Sequence, residues 1–249
     1  VNKREIIVCS DTDELGHRAA DQFVASAQQA IGARGRFCVA LSGGTTPRAL
    51  YERLAEPAFG SAIAWPRVHL FWGDERCVPP DDPASNYRVA RDSLLSKIAI
   101  PAGNVHRMSG EKEPRAAAAE YEELLRDFFG LAPGVWPRLD LILLGLGEDG
   151  HTASLFPGTP AVNETGRLVV ANHVAKLRAD RLTLTLPVVN AARYVVFLVA
   201  GASKAGAVRQ ILSGAGSALP AAQVQLADGR LVWLLTRDAA GAPPADSGV

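Results

Sequence analysis

Residues 139–158 read LDLILLGLGEDGHTASLFPG. The first seven are an unbroken apolar run with one Asp, the pattern of a strand covered on both faces. A glycine-rich turn follows, with Gly145, Gly147 and Gly150 in the literal spacing G-x-G-x-x-G. A dinucleotide-binding turn needs more than that spacing. It needs a helix of several turns after the last glycine, and Pro157, Gly158 and Pro160 stop one early. It needs an acidic residue roughly 20 positions on for the ribose, where this chain reads LVVANH. Glu148 and Asp149 inside the turn would repel a pyrophosphate. The stretch therefore ends a buried strand of an α/β sheet without holding a nicotinamide cofactor. It leaves Asp149 and His151 at a strand end. They either work as a proton-transfer pair, imidazole being the side chain suited to neutral pH, or cap a short helix expected at 152–155.

Similar runs lie on either side. EIIVC (5–9), FCVAL (37–41), VHLFW (68–72), RLVVA (167–171), RYVVFLVAG (193–201) and LVWLLT (231–236) read as strands. Between several of them the apolar spacing turns helical, at 13–31, 84–98 and 114–129. Leu15, Ala19, Phe23, Ala27 and Ala30 mark the buried face of the first helix, and Asp11 with Glu14 resembles a capping box. Such alternation predicts a Rossmann-like, doubly wound, mainly parallel sheet with helices on both faces. Ligands then bind at the carboxyl ends of the strands. The 249 residues are read as one domain, with a frayed tail at 238–249.

Composition narrows the function. Lys plus Arg and Asp plus Glu both total 26. This balance argues against a general nucleic-acid or membrane-surface binder. No apolar stretch reaches the ~18 residues of a membrane span, and the start lacks a signal-peptide layout. A cytoplasmic protein, a monomer, is expected. Cys9, Cys38 and Cys77 are odd in number and far apart, so neither a disulfide framework nor a zinc site is expected. Cys9 and Cys38 read as buried hydrophobes. There is no G-x-S-x-G elbow and no H-E-x-x-H spacing.

Three further loops carry polar chemistry. LSGGTTPRAL (41–50) follows a strand and opens a helix, with Pro47 in its first turn. The backbone at Gly43 and Gly44 and the hydroxyls of Ser42, Thr45 and Thr46 suit a single phosphate ester. A tight turn with a Thr cap is the alternative. In FWGDERC (71–77), Asp74, Glu75 and Arg76 crowd charge at a strand end; they suit a polar substrate or form a surface ion pair. SNYRVAR (85–91) then begins a helix. Arg181 stands just before an expected strand and is a phosphate ligand or a surface arginine. Lys204 falls in the first turn of a helix, where the helix dipole disfavours a cation. That misfit points to a bound anion or to a solvated side chain. His17 lies on a helix, His69 alternates within a strand, and His106 and His173 have no obvious partner; each reads as structural or exposed.

Together, LSGGTTPRALYERL, VHLFWGDERCVPPDDPASNYRVARDSLL, LDLILLGLGEDGHTASLFPGTP and RLTLTLPVVNAARYVVFLVAGASKAGAV span most of residues 40–210. In sequence and order they resemble the 6-phosphogluconolactonase family. The resemblance implies hydrolysis of a phosphorylated sugar lactone, 6-phospho-D-glucono-1,5-lactone, in the second step of the oxidative pentose phosphate pathway, with no cofactor or metal. It places His151 as general base, Asp149 as its orienting partner, and Arg76 with N–H groups of Gly43, Gly44 or Gly147 on the oxyanion. It places Asp74 on the substrate side and Ser42, Thr45, Arg181 and Lys204 on the phosphate. The related glucosamine-6-phosphate deaminases look similar in the S-G-G-x-T-P loop and the D-G-H turn. They carry a catalytic Glu five residues after the His, where this chain has Phe156, and lack the arginine equivalent to Arg76. A non-catalytic sugar-phosphate sensor is the third reading; it calls for an added DNA-binding segment, and none is expected ahead of the first strand near residue 5. The segment VAKLRADR departs from the proline-rich run usual in lactonases, so Arg178 competes with Arg181, and Arg181 is preferred.

Overall fold

The computed structural model describes residues 4–241. Six strands form one parallel sheet: β1 (Arg4–Cys9), β2 (Phe37–Leu41), β3 (Val68–Trp72), β5 (Leu141–Leu144), β8 (Tyr194–Val199) and β9 (Arg230–Thr236). Their order across the sheet is β1-β9-β8-β5-β2-β3. The expected doubly wound α/β architecture is present. β2, β5 and β8 are buried along their whole length, as their continuous apolar runs require. β1 differs because it is an edge strand: Ile6 and Val8 are 46% and 47% exposed.

Helices cover the sheet. α1 (Thr12–Arg34) buries Leu15, Ala19, Phe23, Ala27 and Ala30, the predicted face. Asp11 caps its start by accepting from the Asp13 and Glu14 amides, and Gly35 ends it in the left-handed region at φ 75°. The Glu14 side chain returns to the amide of Ser10 rather than of Asp11, a shifted form of the expected box. α2 (Thr45–Leu54), α3 (Pro57–Gly60), α4 (Asn86–Ser93), α5 (Pro114–Phe129), α6 (Leu186–Asn190) and α7 (Ala205–Ser213) complete the set. α4 is shorter than the expected 84–98 because the chain tightens into a 3-10 turn at Leu95–Lys97.

A second, antiparallel sheet was not foreseen. It has the order β4-β7-β6, with β4 at Asp74–Arg76, β6 at Val169–Val174 and β7 at Ala179–Leu184. The run around 167–171 therefore belongs to this sheet, not to the parallel one, and Arg181 lies within a strand rather than before it. β4 escapes a hydrophobicity reading because it is three charged residues. Residues 238–241 are not frayed: Ala239 is fully buried and the Ala240 amide bonds the Thr236 carbonyl. The rest of the expected tail lies outside the described residues.

The chain leaves β2 towards β3 on one side and later lays β5 against the other side of β2. The connections thus diverge between β2 and β5, which opens a crevice beyond their carboxyl ends. The loops at 42–44 and 145–151 meet there.

Candidate functional site

The glycine turn after β5 is closed by its own backbone. The Gly147 amide donates to the His151 carbonyl at 2.8 Å and the Gly150 amide to the Gly147 carbonyl at 3.0 Å. The Thr152 hydroxyl donates to the Gly145 carbonyl at 2.9 Å. Inside this turn His151 Nδ1 lies 2.5 Å from Asp149 Oδ1. A neutral imidazole has one N–H, and the carboxylate takes it at Nδ1, so the lone pair is on Nε2. Gly147 has a specific reason to be glycine: a Cβ there would sit 1.9 Å from His151 Nδ1. The helix expected at 152–155 is absent. The chain instead turns through a bridge between Thr152 and Leu155, with Ala153 at φ 47°. Asp149 and His151 therefore have no helix to cap, although Asp149 accepts from the His151 amide at 3.2 Å within the turn.

Two neighbours hold the dyad. Phe156 stacks on the imidazole with ring centroids 4.0 Å apart. Lys176, on the turn between β6 and β7, donates to Asp149 Oδ2 and lies 4.8 Å from the Phe156 ring centre. Burial pushes the Asp149 carboxyl up, but hydrogen bonds from Lys176 and His151 outweigh it and hold it at about 2. Lys176 is 27 positions from Asp149 and carried no sequence signal.

His151 faces a cavity of about 140 Å³, shared with Ser42 and Gly43 after β2, Asp74 and Arg76 on β4, and Asn86 at the start of α4. Ser42 Oγ and Asn86 Oδ1 are buried and have no hydrogen-bond partner in the chain. Unsatisfied buried polar atoms are costly, and these two line the cavity as ready contacts for a polar ligand. The Tyr51 hydroxyl pins the loop by donating to the Ser42 carbonyl at 2.6 Å and accepting from its amide at 3.0 Å. A Cβ at Gly43 would overlap the Asn86 amide at 1.7 Å. Gly44, at φ 107°, and Thr45 open α2 beside the cavity but do not line it.

The acidic residues of the second loop are engaged. Asp74 accepts from the Ser154 hydroxyl at 2.6 Å and from the Asn86 side-chain amide at 3.3 Å. Buried Glu75 accepts from the Asn86 and Tyr87 amides at 2.7 and 2.8 Å and from the Ser85 hydroxyl at 3.1 Å. Burial pushes its carboxyl up while these amides oppose the rise. Both carboxylates are thus positioning groups for α4 and for the loop after His151. They form no surface ion pair. Asn86 and Ser154 were missed from the sequence; Asn86 follows an N-cap Ser85, a signal for helix start that says nothing of a ligand.

Arg76 and Arg181 stand opposite each other across β4 and β7. Burial, then the charge of Arg76, lowers the Arg181 pKa. Arg178 is exposed in the left-handed turn after Leu177 and is not beside Arg76, so the geometry favours Arg181. Lys204 at the start of α7 is 3.8 Å from Glu148, which offsets the unfavourable helix dipole, and it does not line the cavity. The other histidines do have partners. His69 and His106 face each other at 3.3 Å, and His173 meets Asp180 at 2.9 Å. Among the described residues, no cluster of three His, Cys, Asp or Glu could hold a metal ion. No described helix is long and apolar enough to cross a membrane.

Residues 10–233 match the family described as glucosamine-6-phosphate isomerases/6-phosphogluconolactonase. A 6-phosphogluconolactonase of Nostoc sp. is 42% identical over 243 residues, covering 96% of this chain and 98% of the relative. One from Synechocystis sp. is 47% identical over 214 residues, covering 85% and 86%. The solved structure of 6-phosphogluconolactonase from Trypanosoma brucei superposes with a TM-score of 0.85 at 30% identity, over 97% of this chain and 99% of that one. By sequence and by fold, the chain belongs to the glucosamine-6-phosphate isomerase/6-phosphogluconolactonase family.

Proposed function

We propose that the protein hydrolyses 6-phospho-D-glucono-1,5-lactone to 6-phospho-D-gluconate, the second step of the oxidative pentose phosphate pathway. The observation that carries the proposal is the Asp149–His151 dyad at 2.5 Å, on the wall of a cavity that Arg76 also lines. The similarity to lactonases over nearly the whole chain supports it.

A lactone is a reactive ester, so a positioned base is sufficient to activate water. His151 Nε2 takes a proton from water as its oxygen bonds to C1. The C1 oxygen becomes an oxyanion, which the Arg76 guanidinium stabilises; one such donor is typically worth ~3 kcal/mol. The tetrahedral centre collapses, the bond from C1 to the ring oxygen breaks, and the imidazolium returns its proton to that oxygen. Asp149 holds the ring and stabilises its cationic form. Following the family resemblance, the 6-phosphate is assigned to Ser42, which lines the cavity, and to Thr45, Arg181 and Lys204, which lie outside its wall. Phe156, stacked on the imidazole, stands where the deaminases place a carboxylate, and this disfavours deamination.

The test is lactone hydrolysis, corrected for the spontaneous rate. His151→Ala is expected to lose about 10²–10⁴-fold in kcat; full activity would remove His151 from the base role. Lys204→Ala is expected to raise KM for the phosphorylated lactone with kcat nearly kept.

A further inference from the structure

The carboxyl ends of the parallel strands hold the catalytic cavity; their amino ends hold a larger one. Where β2, β5, β8 and β9 begin, a cavity of about 420 Å³ lies under α1. That volume falls within the ~300–1,000 Å³ of small-molecule sites. Its charged lining is Arg34, Arg138, Arg193 and Arg230 against Asp140 and Asp228. An adjoining cavity of about 240 Å³ shares Arg34, Arg138, Asp140 and Arg193 and adds Arg36.

The charges do not cancel. Buried Asp140 is taken by Arg34, at 2.8 and 3.0 Å, and by the Cys38 amide at 2.8 Å. Arg138 pairs with exposed Asp228 at 2.7 Å, and Arg230 with Glu5 at 2.7 Å. Arg193 is left with one contact to the already engaged Asp140, at 3.5 Å. Its Nε is buried and makes no hydrogen bond. Burial, then the nearby Arg34 and Arg138, lowers its pKa, as expected where guanidinium groups crowd without enough anion. Arg193 is therefore the least satisfied of the arginines that line the cavity.

We infer that this cavity is a second ligand site, one that binds a small phosphomonoester. Arg34, Arg138 and Arg193 would hold the phosphate, and Gln22, Ser26 and Gln29 of α1 its uncharged part. Planar guanidinium forks suit a phosphate dianion better than a point cation does. The neutral wall from α1 offers amides and a hydroxyl, the contacts a sugar hydroxyl takes. Nothing in this inference rests on the lactonase reading.

The experiment is calorimetric titration of the full chain with two probes, ribose 5-phosphate and adenosine 5′-monophosphate, each against its unphosphorylated counterpart. Ribose 5-phosphate can also enter the catalytic cavity, so the arginine variants identify the site. For at least one probe, Arg138→Gln and Arg193→Gln are each expected to weaken binding at least tenfold. Arg76→Gln should leave that binding intact. Response to ribose 5-phosphate alone makes the ligand a phosphosugar, and response to adenosine monophosphate alone a nucleotide. Affinity for both probes unchanged by both substitutions, or no binding by either, overturns the inference. Arg138 guards against misfolding as the explanation, because its partner Asp228 is exposed and its loss leaves no buried charge.

Discussion

Asp149 serves two donors with its two oxygens, His151 on one and Lys176 on the other. This division sets an acid limit. The carboxylate must be ionised to hold the Nδ1 proton of His151, and it remains so down to about 2 while Lys176 is in place. Removing the ammonium takes away a contribution that lowers the pKa, so Asp149 should protonate at higher pH. Lys176→Met is expected to raise the pH at which the Asp149 carboxyl protonates by about one unit, read by NMR titration of its carboxyl carbon. An unmoved titration would mean that the contact is only a surface pair. Gly147→Ala tests the same geometry sterically: its methyl would overlap the imidazole. It should cost about 10²-fold or more in kcat, with little change in melting temperature. Asp149 and His151 were legible in the sequence because they share one turn, and their distance follows from local chain geometry. Lys176 and Asn86 were not, because their place at the site depends on how a separate sheet and a separate helix dock.

At the scale of elements, α4 is fastened through a side chain outside it. Glu75 on β4 accepts from two of its first backbone amides and from its N-cap hydroxyl. Glu75→Ala would orphan these buried donors, and a loss of about 2–4 kcal/mol is expected in denaturant melts. KM should rise as well, since α4 carries Asn86; Glu75→Gln, which keeps an acceptor, should do less on both counts. The main-sheet strands were readable because five of the six are buried runs of one kind of residue. The small sheet was not, because its members are charged or mix apolar with polar residues, and β4 joins β7 across a long stretch of chain.

The molecule as a whole joins these two sheets at the crevice. The Leu184 amide bonds the Gly73 carbonyl, and Asn172 of β6 donates to the Ser154 carbonyl at 2.9 Å. Far from this seam, stability should respond to pH through β3. His106 is stacked on Phe71 at 4.5 Å and meets His69. Burial, then the neighbouring His69, pushes its pKa down to about 4. An unfolded histidine titrates near ~6.5, so between these values the unfolded chain binds the proton and the folded chain does not. Stability from this group is complete above the unfolded value and declines as pH falls towards 4. Melting temperature should drop over that window, and His106→Phe, able to keep the ring stack, should flatten the decline. An unchanged slope would mean that other groups govern the acid response.

The dyad is written within three consecutive residues of one self-closing turn, whereas Ser42, Gly43, Asp74, Arg76 and Asn86 on the cavity wall arrive from other parts of the chain. On the proposed mechanism, proton transfer and ligand selection are therefore modular. Exchanging Ser42 and Asn86 should then admit a different phosphorylated ring while His151 keeps its aim. This scaffold is accordingly a sound starting point for engineering new lactone specificities, with the five-residue turn from Gly147 to His151 left untouched.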